Sequence, residues 1–386
     1  MDNFKFHTST EILFGKDQIQ QLPEVIGRYG KNVLLSYGIG SIKKSGLYDQ
    51  VKALLKDFNV IDLANIEPNP HISSVERGAA LCRKHQINVI LAVGGGSVID
   101  CSKVVAAAAL YEGKAWDLVL DRNLITKALP IVTILTLAGT GSEMNKSAVI
   151  TNTETQMKTG TSNWPMMPQT SIIDPTYLFT LPAIQTAAGS ADIFSHVLEN
   201  YFKITPDAYV QDKIAEGLMQ TVIKYAPIAL KTSDDYSARA NLAWASSLAL
   251  NGLTASGKSG TWSVHPIEHE LSAYYDLTHG IGLAILTPVW MRHILSEATV
   301  DKFVEYAVNV WHLPNTGDKY KVAHSGIDAT EAFFKSLGIP STLSAVGIDD
   351  SKFEIMAQRA VKLGSTQNSY VPLSVNDIVA ILKASA

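Results

Sequence analysis

Three imidazoles, His265, His269 and His279, fall within fifteen residues of a chain that holds ten histidines in all. His265 and His269 are four apart, so on a helix both project from one face. The segment Ser272 to Thr278 is long enough to finish that helix and turn back before His279. About seventy residues upstream, Asp192 and His196 repeat the four-residue spacing. One carboxylate with two or three imidazoles fills the first shell of a divalent metal and leaves a position open for substrate. Spacing alone leaves this reading beside a plainer one, in which each histidine lies on the surface or is satisfied in the core.

The elements that must hold these residues are helices. From Ala183 the apolar spacing is helical almost throughout: Ala183 to Phe202, Asp207 to Leu230, Ser237 to Asn251, then Pro266 to Tyr275 and further segments ending at Ala386. Pro266 suits a first helical turn, which puts His265 at the helix start. Leu253 to Ser263 is small and polar with two glycines, and reads as a close-packed loop at the site.

Before Leu181-Pro182 the pattern alternates. Helical spacing over Lys16 to Tyr29, Lys43 to Phe58, Ser73 to His85 and Ser97 to Leu110 is interleaved with apolar runs at Val33 to Tyr37, Val60 to Leu63, Val89 to Val93 and Ile131 to Thr136. Ser171 to Pro175 adds a last strand-like run. Continuous apolar strands separated by helices indicate a mostly parallel sheet covered on both faces. The expected division is therefore an α/β Rossmann-like domain over residues 1–182 and an all-α metal-binding, catalytic domain over residues 183–386.

Ligands of parallel sheets bind beyond the carboxyl ends of the strands, and three loops there are rich in glycine. Gly94-Gly95-Gly96-Ser97 leaves a strand and opens a helix, so its backbone can approach a pyrophosphate while the N–H groups of the helix start face it. Asp100 follows one turn later, placed to orient the loop or a ribose. Ala138-Gly139-Thr140-Gly141-Ser142-Glu143 offers hydroxyls to a phosphate or a nicotinamide. Tyr37-Gly38-Ile39-Gly40-Ser41 has no carboxylate for a ribose diol, and its small residues, Ser41 and the nearby Lys43 and Lys44 would tolerate an adenosine 2′-phosphate. None of the three is GxGxxG, since Lys43 stands where the third glycine would fall. Each loop also has a purely structural explanation, because strand-to-helix turns need glycine. Lys158-Thr159-Gly160 is a further candidate near the cofactor.

Composition excludes several function classes. The charge is -4, from 32 basic and 36 acidic residues, so no basic field attracts nucleic acid or anionic lipid. Met1 to Phe6 lacks the apolar core of a signal peptide and no apolar run reaches the length of a membrane span, so the expected location is the cytoplasm. Cys82 and Cys101 form neither a disulfide framework nor a CxxC knuckle, and both read as buried structural thiols.

With these residues together, the chain resembles the iron-containing alcohol dehydrogenase family over nearly its full length, and within it the butanol dehydrogenase and NADPH-dependent aldehyde reductase branch. The motifs that carry the resemblance are Tyr37 to Gly46, Gly94 to Asp100, Thr136 to Glu143, Asp192 to His196 and His265 to Gly280. The resemblance implies a dehydroquinate-synthase-like architecture and a metal held by Asp192, His196, His265 and His279. His269 then lines the active site without ligating. It also implies cofactor contacts at Gly38 and Ser41 for the adenosine end and at Gly95, Gly96, Ser97 and Asp100 for the pyrophosphate and its loop. Thr136, Thr140 and Ser142 fall toward the nicotinamide, and Lys158 falls at the ribose. The branch often carries proline after Thr136, where this chain has Leu137-Ala138-Gly139.

The implied reaction is hydride transfer between NADP(H) and a short-chain primary alcohol or aldehyde, with Fe²⁺ as the expected ion and Zn²⁺ as the alternative, in a homodimer. The cation would polarise the carbonyl or favour the alkoxide, and His269 would relay the proton. A dehydroquinate-synthase-like lyase would need lysines and arginines around a polyanion, and these stretches are nearly free of them. Glycerol dehydrogenases usually lack the fourth ligand. A non-enzymatic cofactor-binding module would make the quartet accidental.

Overall fold

A computed structural model describes residues Met1–Ala386. Two compact units divide the chain: one comprises His7–Leu181 with Ser233–Ala243, the other Met1–Phe6, Pro182–Thr232 and Trp244–Ala386.

In the first unit the apolar runs become strands and the amphipathic stretches helices. In chain order these are β1 (Glu11–Phe14), α1 (Leu22–Gly27), β2 (Asn32–Gly38), α2 (Ser41–Lys44), α3 (Leu47–Leu54), β3 (Asn59–Ile66), α4 (Ile72–Lys84), β4 (Val89–Gly94), α5 (Gly96–Ala108), α6 (Ala115–Leu120), β5 (Ile131–Leu135), β6 (Ser147–Asn152), β7 (Met157–Ser162) and β8 (Thr170–Ile173). Six strands form one sheet in the order β1-β8-β5-β4-β2-β3, and every neighbouring pair is parallel. β4 and β5, in the middle, are buried along their whole length, as strands covered on both faces must be. One face carries Ile19, Ile26, Leu35, Val51 and Leu91, and the other carries Leu34, Val75, Ile90, Val104 and Leu118. This alternation of neighbouring residues between two cores follows from the two-residue period of a strand.

Three local features depart from the sequence expectation. The helix expected over Lys43–Phe58 is broken after α2, because Gly46 takes φ +79° and starts α3 afresh. The one expected over Lys16–Tyr29 is a 3₁₀ turn at Gln18–Gln21 followed by the short α1. The antiparallel hairpin β6–β7 was not anticipated, and Lys158 lies on it, paired with Thr151.

The second unit is helical: α7 (Ala183–Tyr201), α8 (Tyr209–Lys231), the later part of α9 (Tyr236–Leu250), α10 (His265–Tyr275), α11 (His279–Ile294), α12 (Val300–Trp311), α13 (Lys319–Ser336), α14 (Phe353–Gly364) and α15 (Val375–Ala384). α7 is buried at every residue from Thr186 to Tyr201, so it is a core helix rather than an amphipathic one. α11 lies against it so closely that a Cβ at Gly280 would sit 1.9 Å from the carbonyl oxygen of Ala188. No helix is long and apolar enough to cross a membrane.

Candidate active site

The starts of two helices and the middle of a third bring four side chains together. α7 supplies Asp192 and His196, α10 begins with His265 and α11 begins with His279. One ligand atom from each of the four lies within 4.8 Å of the others. Asp192 Oδ1 is 3.2 Å from His196 Nδ1, 3.7 Å from His279 Nε2 and 4.0 Å from His265 Nε2. Bonds of about 2.0–2.2 Å to one divalent ion space its donors about 3–3.5 Å apart. His196 Nδ1 and His265 Nε2 are buried with no hydrogen-bond partner, an arrangement that costs roughly 1–3 kcal/mol for each group left unsatisfied. Burial, and then the neighbouring His265, His279 and His269, hold the His196 pKa well below the ordinary histidine value, so its ring is neutral and able to ligate. The donor set therefore fits a divalent cation.

Two carboxylates that the spacing argument passed over aim the rings. His265 Nδ1 donates to Glu199 Oε1 at 2.5 Å, which leaves Nε2 turned toward Asp192. His279 Nδ1 donates in the same way to Glu268 Oε2, and Ser272 Oγ donates to the other oxygen at 2.5 Å. Glu199 also accepts the backbone N–H groups of Ser263, Val264 at 2.9 Å and His265 at 3.1 Å. These are donors at the start of α10, which would otherwise end without partners. Burial raises the Glu199 pKa, but His265 and the backbone donors outweigh it and leave the group below the ordinary glutamate value.

Trp262 flanks the cluster, its ring 4.7 Å from His265 and 5.7 Å from His196 between centroids. Lys203 lies 5.1 Å from that ring and donates to the carbonyls of Gly260 and Thr261 at 2.8 and 2.9 Å. His269 does not share the quartet. Its ring is 5.6 Å from His279 and 6.4 Å from His265, and it forms a second group with Glu268 and His279.

In the first unit the expected cofactor residues other than Lys158 gather near the carboxyl ends of β2, β4 and β5. Gly38 ends β2 and Ser41 starts α2. Gly95 precedes α5 and Gly96 and Ser97 begin it, with no side chain capping that start. A Cβ at Gly96 would lie 2.3 Å from Thr140 Oγ1, so glycine here lets the two loops touch. Thr136 follows β5, and its N–H donates to the Gly94 carbonyl at 3.1 Å.

Asp100 and Ser142 face each other. Ser142 Oγ donates to Asp100 Oδ1 at 2.5 Å, and Val149 N–H donates to Asp100 Oδ2 at 2.9 Å. Lys103, also passed over, is fully buried and donates to Ser142 Oγ at 2.8 Å, Asn145 Oδ1 at 3.0 Å and the Ser147 carbonyl at 2.8 Å. Burial pulls its pKa down to about 8, against the opposing pull of Asp100. Lys158 Nζ donates to Asn69 Oδ1 at 3.0 Å. At the Gly38 end, Tyr37 and Tyr48 both donate to Asp62 Oδ2, at 2.9 and 2.7 Å, and the Lys43 ammonium lies 5.1 and 4.9 Å from their rings.

Residues 9–175 match the family model for iron-containing alcohol dehydrogenase, and residues 186–386 match the C-terminal model of the Fe-containing alcohol dehydrogenase family. The chain belongs to the iron-containing alcohol dehydrogenase family. Among its relatives, the NADH-dependent butanol dehydrogenase A of Clostridium acetobutylicum is 52% identical over 388 residues, spanning 100% of both chains. The NADPH-dependent aldehyde reductase YqhD of Escherichia coli is 39% identical over 371 residues, 95% of each. The crystal structure of the NADH-dependent butanol dehydrogenase A of Thermotoga maritima is similar at a TM-score of 0.95 and 39% identity, covering 100% of this chain and 99% of that one.

Within this alcohol dehydrogenase the residues missed from sequence left a signal. Asp192, His196 and Glu199 follow at intervals of four and three, one face of α7 made of ionisable groups, and Lys203 stands just past the helix end. Glu268 likewise stands three residues after His265. Lys103 had only the cue of a lysine inside an apolar helix, which ordinarily reads as a solvated side chain.

Proposed function

We propose that this alcohol dehydrogenase transfers a hydride between NADP(H) and a short-chain primary alcohol or aldehyde, with Fe²⁺, or in second place Zn²⁺, held by Asp192, His196, His265 and His279. The observation that carries this reading is the meeting of one carboxylate and three imidazoles within 4.8 Å in a chain of this family. When bound, the cation supplies a Lewis acid for the substrate oxygen and the nicotinamide supplies or accepts the hydride.

The remaining steps belong to the chain. Glu199 and Glu268 keep Nδ1 of His265 and His279 protonated and their Nε2 atoms available. His269, half-buried beside His279, relays the proton to or from the substrate oxygen. Gly95, Gly96 and Ser97 present the start of α5 to the pyrophosphate. Thr136, Thr140 and Ser142 shape the nicotinamide side, Lys158 serves the ribose, and Gly38 and Ser41 serve the adenosine. Asp100 acts through Ser142, which it holds by a short hydrogen bond.

NADP(H) is favoured over NAD(H) by the loop from Gly38 to Ser41, which offers no carboxylate to a ribose diol, and by the nearby Lys43. The relatives' names divide on the point, the butanol dehydrogenases being called NADH-dependent and the E. coli reductase NADPH-dependent. Homodimerisation and a cytoplasmic location complete the proposal. The test is to follow oxidation of NADPH and of NADH with butyraldehyde after adding Fe²⁺ or Zn²⁺. Metal-dependent turnover with the higher kcat/KM for NADPH is expected. No metal-dependent oxidation with any of several aldehydes ends the reading, and equal use of NADH ends its cofactor part. His279→Ala should lose the metal and His269→Ala keep it.

A further inference from the structure

The buried carboxylate of Glu199 serves two structures at once. Its Oε1 takes the Nδ1 proton of His265 at 2.5 Å and the His265 backbone N–H at 3.1 Å, while its Oε2 takes the N–H groups of Ser263 and Val264. One side chain of α7 thus orients a ring at the cluster and supplies the missing cap of α10, which has none of its own. Glu268 is the simpler counterpart. It holds the ring of His279, the first residue of α11, and a serine hydroxyl on its own helix.

We infer that Glu199 and Glu268 are positioning residues for the cation, and that Glu199 couples its retention to the conformation of Ser263–His265. The inference rests on the reading in which the Asp192 quartet holds that cation. It follows from donor and acceptor counting. Glutamine in place of Glu199 keeps the size but has a single acceptor oxygen for four donors. Whichever way the amide turns, its NH₂ faces either the His265 pair or the Ser263 and Val264 N–H groups. Glutamine at 268 meets a milder demand, because its oxygen can still accept from His279 while its NH₂ donates to the Ser272 hydroxyl, which can rotate.

The test uses Zn²⁺ in competition with a chromogenic chelator, the visible spectrum of the Co²⁺-loaded protein, and amide hydrogen exchange over residues 260–268 of the metal-free protein. Glu199→Gln is expected to weaken Zn²⁺ binding by about 10–100-fold, to alter the Co²⁺ spectrum and to speed exchange at Ser263–His265 before any metal is added. Glu268→Gln is expected to weaken Zn²⁺ binding by less and to leave that exchange at the wild-type rate. Binding by Glu199→Gln within twofold of wild type, in a protein whose His265→Ala variant has lost the ion, overturns the inference. Equal exchange in the two glutamine variants removes the coupling to α10. Retention of the ion by His265→Ala overturns the quartet itself, and the inference with it.

Discussion

Gly280→Ala tests how the helices set the metal geometry, because one methyl group acts there on two ligands. The added Cβ would stand 1.9 Å from the Ala188 carbonyl oxygen, 2.6 Å from its carbon and 3.0 Å from its Cα. Ordinary contact begins near 3.4 Å, so α7 and α11 would have to part by roughly 1–1.5 Å. The obstacle is backbone in a helix buried all round, and no rotamer relieves it. Alanine gains about 1 kcal/mol over glycine in helix propensity, whereas overpacking costs about 1–3 kcal/mol or more. The balance is a loss of up to about 2 kcal/mol, or roughly 4–8 °C in melting temperature for a unit of this size.

The larger effect falls on the ion. Asp192 lies one turn after Ala188 on α7 and His279 is the residue before Gly280, so the separation passes directly into the donor set. Metal–ligand distances tolerate about 0.2 Å, and Zn²⁺ affinity should fall at least about tenfold, or 1.4 kcal/mol. Calorimetry of the metal-free protein and chelator competition read the two effects separately. Ala188→Gly should give no rescue, because the clash is with backbone. A Gly280→Ala protein that melts within 1 °C of wild type and binds Zn²⁺ equally would refute the wedge.

Gly96→Ala places a methyl against Thr140 in the same way. Its cofactor KM should rise about tenfold, and unfolding of the double variant with Thr140→Gly should show a coupling of about 1 kcal/mol or more; additive losses would show that the two loops are independent. Lys103→Met leaves Ser142, Asn145 and the Ser147 carbonyl without their donor and Asp100 without its counter-charge, so urea unfolding should report a loss of about 3–5 kcal/mol. Burial lifts the Glu270 carboxyl to about 7 against the opposing pull of Arg359. Between the ordinary value of 4.5 and 7 the folded protein holds a proton that the unfolded chain has released, so this group's contribution to stability falls as pH rises through that window. Wild type should therefore lose up to about 3 kcal/mol relative to Glu270→Gln from pH 4.5 to 7 and nothing further above it; a constant difference across the window would show that Glu270 titrates normally.

How much of this was legible beforehand varied with the range of the forces involved. β4 and α5 could be read because a continuous apolar run ending in Gly94-Gly95-Gly96 needs only local information. The break at Gly46 could not, since helical spacing on either side of a left-handed glycine looks continuous. The hairpin β6–β7 escaped because Ser147–Asn152 and Met157–Ser162 mix polar and small residues, and its stability comes from packing beside α5 rather than from its own pattern. At the metal cluster, the imidazoles and Asp192 stand out by type and spacing. Glu199 and Glu268 do not, because a glutamate on a helix is ordinarily solvated, and only folding brings them to Nδ1 of a histidine.

The resulting charge arrangement restricts what the cluster can hold. Asp192, Glu199 and Glu268 are each almost fully buried and together carry three negative charges if ionised. Lys203 is a buried cation beside Glu199, pulled down to about 8 by burial against that favourable interaction, while its neighbour Lys258 is matched by Asp212. Three carboxylates against one ammonium leave two charges to be neutralised, and a divalent ion among neutral imidazoles brings the set to zero. A monovalent ion would leave an uncompensated charge in a low-dielectric interior, which proteins avoid by shifting a pKa. The apoprotein must carry both charges unbalanced or take up protons. Binding of the cation is therefore a stability term as well as a catalytic one: melting temperature should climb with free Zn²⁺ as RT ln(1 + [L]/Kd) requires, and Lys203→Met should steepen that climb, because losing the ammonium leaves the carboxylates a larger charge for the cation to offset.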